Sequence, residues 1–244
     1  MRRAIILAVI AFTLVLLVRL PARWLSPLLP HGMQCQQLDG SAWNGSCTGL
    51  TSSGNAVGDV TWNLQLLQLL RARLDLRLDL TGTDSSAHGE VALGFGGAVH
   101  GRDVTLDVPL TSALVSSLPV GAHARLQGTL ARIEWTGKYL SELQGELRVQ
   151  DLVGPRGQAF GSYQVSFAPG SGSDSADLPT GVVHDGGGPL QLEATLQLTH
   201  DPGYVVDGRV APRPSASADI VDMLKYLGSA DASGRRPFSL MGTF

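Results

Sequence analysis

A mainly β protein is what this sequence predicts: one N-terminal transmembrane helix followed by a long, curled antiparallel β-sheet, trough-like or sandwich-like, with two or three short helices. Three observations predict it. Apolar and polar residues alternate with period two in run after run from Val57 to Phe244, the spacing that turns one side of a strand to a core and the other to water. Charged residues make up only 16% of the 244-residue chain and 30 residues are glycine, a low-charge, turn-rich composition that suits strands joined by tight connections. Ala4 to Val18 is apolar at every position except Thr13, a segment that partitions into lipid. With 43% apolar residues the chain can bury a sizeable core, so disorder of the whole is excluded.

The apolar run reaches about 22 Å at 1.5 Å per residue, short of the roughly 30 Å hydrocarbon core. Leu20 and the snorkelling of Arg2, Arg3, Arg19 and Arg23 extend that reach. The competing reading is a cleavable secretory signal. The following stretch, Arg19-Leu20-Pro21-Ala22-Arg23-Trp24, has no small-x-small cleavage site, which favours an uncleaved anchor. The amino terminus, Arg2 and Arg3 outweigh Arg19 and Arg23, so the N-terminus is expected inside and the body exported. Residues 1–23 are then the anchor and 24–244 the exported β body, with Trp24 at the interface.

Beyond Arg23 the remaining 14 basic residues face 21 acidic ones, a balance of −7. Such a body has no footprint for phosphate backbones, and nucleic acid is excluded as a partner. The two cysteines, Cys35 and Cys47, have neither CxxC nor Cys/His ligand spacing. A structural disulfide is the preferred reading. It would be permitted in an oxidising compartment, and closing a loop of that size is worth about 3 kcal/mol. Two unpaired buried thiols are the alternative.

The clearest strand is Arg73 to Leu80, where every leucine is even-numbered and every charge odd-numbered; a helix would scatter those leucines around its circumference. The same alternation marks Val91, Leu93 and Phe95; Val104, Leu106 and Val108; Leu143, Leu147 and Val149; and Tyr163, Val165 and Phe167. It continues through Leu190 to Leu198, then Tyr204, Val206 and Val210, and closes at Phe238, Leu240 and Phe244. Between Leu126, Leu130 and Ile133, Trp135 the apolar parity switches, which one extra residue in a bulge accommodates. Short helices are expected at Leu64–Leu70, at Pro109–Leu118 and at Ser217–Leu227. The last has Ser217 as cap, Asp219 in the first turn, an Ile220/Leu224/Leu227 stripe and Gly228 as stop. Residues 168–189, rich in Gly, Ser, Asp and Pro, read as a mobile loop. A closed barrel, a two-layer sandwich and a single sheet folded over its own apolar face all remain open.

Catalytic constellations are sparse. The six histidines (His31, His88, His100, His123, His184, His200) show no HxH or HExxH spacing. GxSxG, GxGxxG and P-loop patterns do not occur, and Gly94-Phe95-Gly96-Gly97 is only a partial glycine pattern. Asn44-Gly45-Ser46 matches a glycosylation sequon, but Asn-Gly is also a tight-turn dipeptide, and the turn is preferred. No enzyme activity, metal or cofactor is expected. An envelope hydrolase built on one of the scattered histidines is the weakest alternative.

Gly40-Ser41-Ala42-Trp43-Asn44-Gly45, followed by Gly58-Asp59-Val60-Thr61-Trp62 and Leu66-Leu67, resembles the opening of the type II secretion system protein N family. That family has a short span, a G-x-x-W-x-G element, a W-x-L element and a β-rich periplasmic body. Its close, a small helix ending in Leu-Gly, a charged turn and a final strand, is matched by Leu224 to Gly228, Ser233 to Arg236 and Phe238 to Phe244. The pattern residues here are Gly40, Trp43, Gly45, Trp62, Leu227, Gly228 and Gly242; the two cysteines are not part of it. The resemblance implies an accessory component of the machine that exports folded proteins across the outer membrane, single-pass in the bacterial inner membrane with a periplasmic body. It implies contacts with other inner-membrane components and with the outer-membrane secretin. Trp43 and Trp62 are read either as a partner anchor or as core packing that staples the first strands; the second is preferred. The alternative function is a membrane-anchored lipid-binding or lipid-transfer protein, with Leu74 to Leu80 and Leu190 to Leu198 lining an apolar trough.

Overall fold

The structure, a computed structural model, describes residues 19–24, 32–52, 54–65, 74–94, 97–111, 118–170, 178–201 and 203–243. The apolar run Ala4–Val18 lies outside them; among the described residues no helix is long and apolar enough to cross a membrane.

Among the described residues thirteen strands follow one another: β1 (Met33–Gly40), β2 (Asn44–Ser52), β3 (Asn55–Leu64), β4 (Leu74–Thr81), β5 (Ser86–Leu93), β6 (Val99–Thr111), β7 (His123–Trp135), β8 (Leu140–Val153), β9 (Ala159–Phe167), β10 (Thr180–Asp185), β11 (Leu190–Thr199), β12 (Gly203–Pro212) and β13 (Arg236–Thr243). Each pairs antiparallel with its sequence neighbours, in one sheet of order β1 to β13. The two end strands do not meet, so this is neither a closed barrel nor a pair of sheets. Every connection is local, as expected when hairpins and short loops join consecutive strands.

Register shows why the alternation specifies this sheet. One cross-strand row runs Leu38, Cys47, Val60, Leu80, Ala87, Leu106, Gly128, Leu147, Val165, Val183, Ala194, Gly208, Phe238. It crosses all thirteen strands without a polar side chain. The adjacent row runs Asp39, Ser46, Thr61, Asp79, His88, Thr105, Thr129, Glu146, Ser166, Val182, Thr195, Asp207, Ser239, polar except at Val182. A slip of one residue in any strand would exchange the two faces, so burial of one face fixes every register. The parity switch in β7 falls where the β7–β8 register shifts between Leu130 and Arg132. Asp103, opposite it in β6, takes a positive φ of 48°, a conformation that aspartate tolerates better than most residues.

Among the described residues the apolar face holds two buried clusters. Leu130, Leu143, Phe167 and Leu198 form one, flanked by Val104, Ile133 and Tyr204. The other joins Leu190 and Val210 to Ile220 and Leu224 of the helix α1 (Ala218–Leu224), with Phe160, Leu227 and Phe238 around it. Burying one such leucine is worth about 2 kcal/mol, so α1 is held mainly by this contact. Ser217 stands at its N-cap with extended φ and ψ, but its side chain makes no capping hydrogen bond. Asp219 occupies the first turn as expected.

Two other expectations change. Within the loop expected over 168–189, Thr180–Asp185 forms β10, because Gly181 and Val183 seat against Phe167 and Val165 of β9. Tertiary pairing there overrides a turn-rich composition. Of the two other expected helices, Leu64 ends β3 and Pro109–Thr111 ends β6. Residues 66–70 and 112–117 lie outside the described residues.

Candidate functional site

The residues singled out from sequence gather at two opposite ends of the sheet. At the first end the β1–β2 turn is closed by Ser41, whose amide donates to the Asn44 carbonyl at 2.8 Å and whose Oγ accepts the Asn44 amide at 3.0 Å. Gly40 has φ +85°, and a Cβ there would sit 2.5 Å from the Asn44 oxygen, so only glycine fits. Gly45 lies across from Trp62. A Cβ on Gly45 would come within 2.5 Å of the Trp62 ring, which therefore lies directly over the glycine. Trp62 Nε1 donates to the Ala42 carbonyl at 3.1 Å, and the Leu64 amide to the Trp43 carbonyl at 2.6 Å. The chain leaving residue 19 joins here, with the Ala42 amide on the Leu20 carbonyl at 2.8 Å and Pro21 bridged to Ser41. Gly40, Trp43, Gly45 and Trp62 thus form one corner, the place where the N-terminal segment enters the sheet. Beside it Cys35 and Cys47 are bonded, Sγ–Sγ 2.02 Å and Cα–Cα 5.8 Å, cross-linking β1 to β2.

At the far end, Leu227 packs into the α1 cluster. Arg236 Nη1 donates to the Gly228 carbonyl at 2.8 Å and to that of Leu227 at 3.3 Å, tying the end of the helix region to β13. Gly242 lies under the Tyr204 ring at the other end of the same strand. The two groups of pattern residues are separated by the width of the sheet and build no common pocket.

The polar face carries cross-strand ion pairs: Arg77 with Glu90, His88 with Asp79, Arg125 with Asp107 at 2.5 Å, and Arg132 with Glu142 at 3.4 Å. The Arg77 hydrogen bond holds Glu90 below the usual carboxylate range, and Arg125 does the same for Asp107. The first three are half-exposed pairs, each worth a few tenths of a kcal/mol to about 1 kcal/mol, while in the fourth Glu142 is buried and Arg132 exposed. The described histidines stay apart: His100 faces Glu134 and His200 lies against the Tyr139 ring. Among the described residues no group of His, Cys, Asp and Glu is arranged to hold a metal.

Sequence reasoning missed one polar cluster on the apolar face. Arg213 Nη2 lies 2.5 Å from Asp185, Nη1 donates to the carbonyls of Gly188 and Leu190, and the Leu192 amide donates to Asp185 at 3.2 Å. Burial pushes the Asp185 carboxyl up, but the hydrogen bonds from Arg213 and Leu192 prevail and it ends below its ordinary value. Tyr163, paired across from Asp185, is raised to about 12, first by burial and then by that carboxylate. Its hydroxyl donates to the Phe160 carbonyl at 2.6 Å. Arg213 is spent on backbone carbonyls and one carboxylate, so the cluster clamps the β10–β11 turn. Only the pairing of two distant residues marks it, and no local spacing signals that.

What the arrangement offers, then, is surface: two faces of opposite character and, among the described residues, two strand edges at β1 and β13 with no neighbouring strand. The sequence matches the family model described as type II secretion system (T2SS), protein N, over residues 31–239, which spans β1 into β13. Two relatives are named Type II secretion system protein N. That of Aeromonas hydrophila is 26% identical over 247 residues, covering 97% of this chain and 96% of the relative. That of Vibrio cholerae is 26% identical over 238 residues, covering 92% and 91%. No solved structure matches the chain. The chain belongs to the type II secretion system protein N family.

Proposed function

We propose that this member of the family is an accessory inner-membrane component of the type II secretion machine, anchored by Ala4–Val18 with its N-terminus cytoplasmic. Its periplasmic β body docks on other components, among them inner-membrane proteins with periplasmic domains and the outer-membrane secretin, and so supports export of folded proteins. Family membership over the full width of the sheet carries this reading. The open sheet supports it physically, since unpaired edges accept strands and exposed faces accept partners. No catalytic step is assigned. The test is deletion of the gene in the native host, following secreted enzymes in medium and periplasm and the outer-membrane barrier in parallel. Periplasmic accumulation behind an intact barrier is the expected result.

A second reading is favoured by one observation. From β4 to β6 the apolar face carries Leu74, Leu76, Leu78, Leu80, Val91, Val104 and Leu106, all of them half-buried. An aliphatic trough of this kind fits acyl chains, which would make the protein a tethered lipid binder. Normal secretion with a leaky envelope in the deletion strain, and lipid found by mass spectrometry in the extracted protein, would select this reading over the first.

A further inference from the structure

β13 closes the sheet on one side, and its outer edge is of a different kind from that of β1. Its register with β12 runs unbroken from Val210 opposite Arg236 to Gly203 opposite Thr243. No charged residue lies between Pro237 and Thr243. Leu240 is 58% exposed and Met241 81% exposed, on opposite faces of the strand. Natural edge strands are normally protected by charges, bulges or covering segments; this one has a regular register and apolar side chains on both sides. β1, by contrast, presents Gln34, Gln36, Gln37 and Asp39, all exposed.

We propose that β13 is the pairing edge for a second copy of this chain, joined antiparallel about a two-fold axis at Leu240. Pro237 has no amide hydrogen and fits a paired edge strand only where its nitrogen faces away from β12. The outward-bonding residues are therefore the odd-numbered ones. Centring the pair on Leu240 sets Ser239 against Met241 of the copy, twice, as mutually bonded pairs, and brings the two Leu240 side chains together in the closer, non-bonded position. Phe238 then faces Gly242 of the copy. That repeats an arrangement the sheet uses internally, where Trp62 lies over Gly45 and Phe167 over Gly181. The thick start of each strand meets the slim end of the other. Pro237 lacks a donor in either register; centring on Leu240 leaves that loss opposite Thr243 at the two ends of the pair, whereas centring on Ser239 would move it inward, opposite Met241. The Arg236 side chains fall at opposite ends of the pair, so like charges are not opposed. A two-fold axis perpendicular to the sheet keeps the apolar faces of both copies on the same side. This inference is independent of the secretion reading.

The test uses the full chain. Leu240→Cys in the native envelope, oxidised and run without reductant, is expected to give a covalent dimer, while Gln36→Cys on the β1 edge stays monomeric. Light scattering of the purified protein in detergent is expected to give about twice 25.7 kDa, falling to one copy for Leu240→Lys with an unchanged circular dichroism spectrum. A single-copy mass for the unmodified chain, a Leu240→Cys variant that does not cross-link or that links to a different protein, or a Leu240→Lys variant that stays dimeric would overturn the proposal.

Discussion

From β7 to β12 the apolar face is closed by its own side chains, with Leu130, Leu143, Phe167 and Leu198 buried together and α1 laid over Leu190 and Val210. From β1 to β5 the sheet has smaller means: a disulfide between β1 and β2, one tryptophan over a glycine, and four β4 leucines that stay half-buried. The sheet is continuous and the alternation equally regular in both halves. What differs is whether anything packs on top. The second half is stabilised by burial, and the first by a covalent link that limits the unfolded chain.

The largest expected effect is Phe167→Ala. It empties the centre of the first cluster and is expected to cost about 3–5 kcal/mol in urea unfolding, whereas Leu78→Ala in β4, at a half-exposed site, costs less than half as much. Equal losses at the two sites would break the comparison. Next, Cys35→Ser with Cys47→Ser removes a cross-link worth about 3 kcal/mol, a loss that thermal melts with and without reductant should reproduce. Gly45→Ala places a Cβ 2.5 Å from the Trp62 ring and 2.7 Å from the Asp39 oxygen. Overpacking of that kind costs about 1–3 kcal/mol, and quenching of Trp62 fluorescence should change with it.

The smallest effect is one of pH. Asp231 is lowered to about 2, first by the Ser233 hydroxyl and then by the Arg235 amide. A carboxylate lowered in the folded state stabilises fully above its unfolded value near 4, and the contribution fades as pH falls toward about 2. Asp231→Asn should therefore differ from the unmodified chain at pH 5 and converge with it near pH 2. A gap that persists at pH 2 would assign the effect to shape and not to charge.

Much of this was legible in the sequence because the information is local. Leu74 to Leu80 fixes a strand by parity alone, and the switch between Leu130 and Ile133 locates a bulge without any partner being known. The Leu224-to-Gly228 close and the Trp62 position carried the family resemblance. Three things were out of reach. β10 depends on Phe167 and Val165 standing next to it, so its glycine-rich surroundings read as loop. The Asp185–Arg213 clamp joins residues 28 apart with no periodicity between them. The choice of an open sheet over a barrel rests on whether β1 meets β13, a contact that no pattern within either strand encodes. The adjacent Leu240 and Met241 do break the alternation, and that break is the one sequence signal of an apolar edge.

Amide hydrogen exchange of the full chain in detergent, read segment by segment with and without reductant, tests the two-halves account most directly. Slow exchange in β7–β12 that reductant leaves unchanged, with β1–β3 protected only while the Cys35–Cys47 bond is intact, is the predicted result. Loss of protection in both halves together on reduction would contradict it, because the packed half would then depend on the same link as the uncovered one.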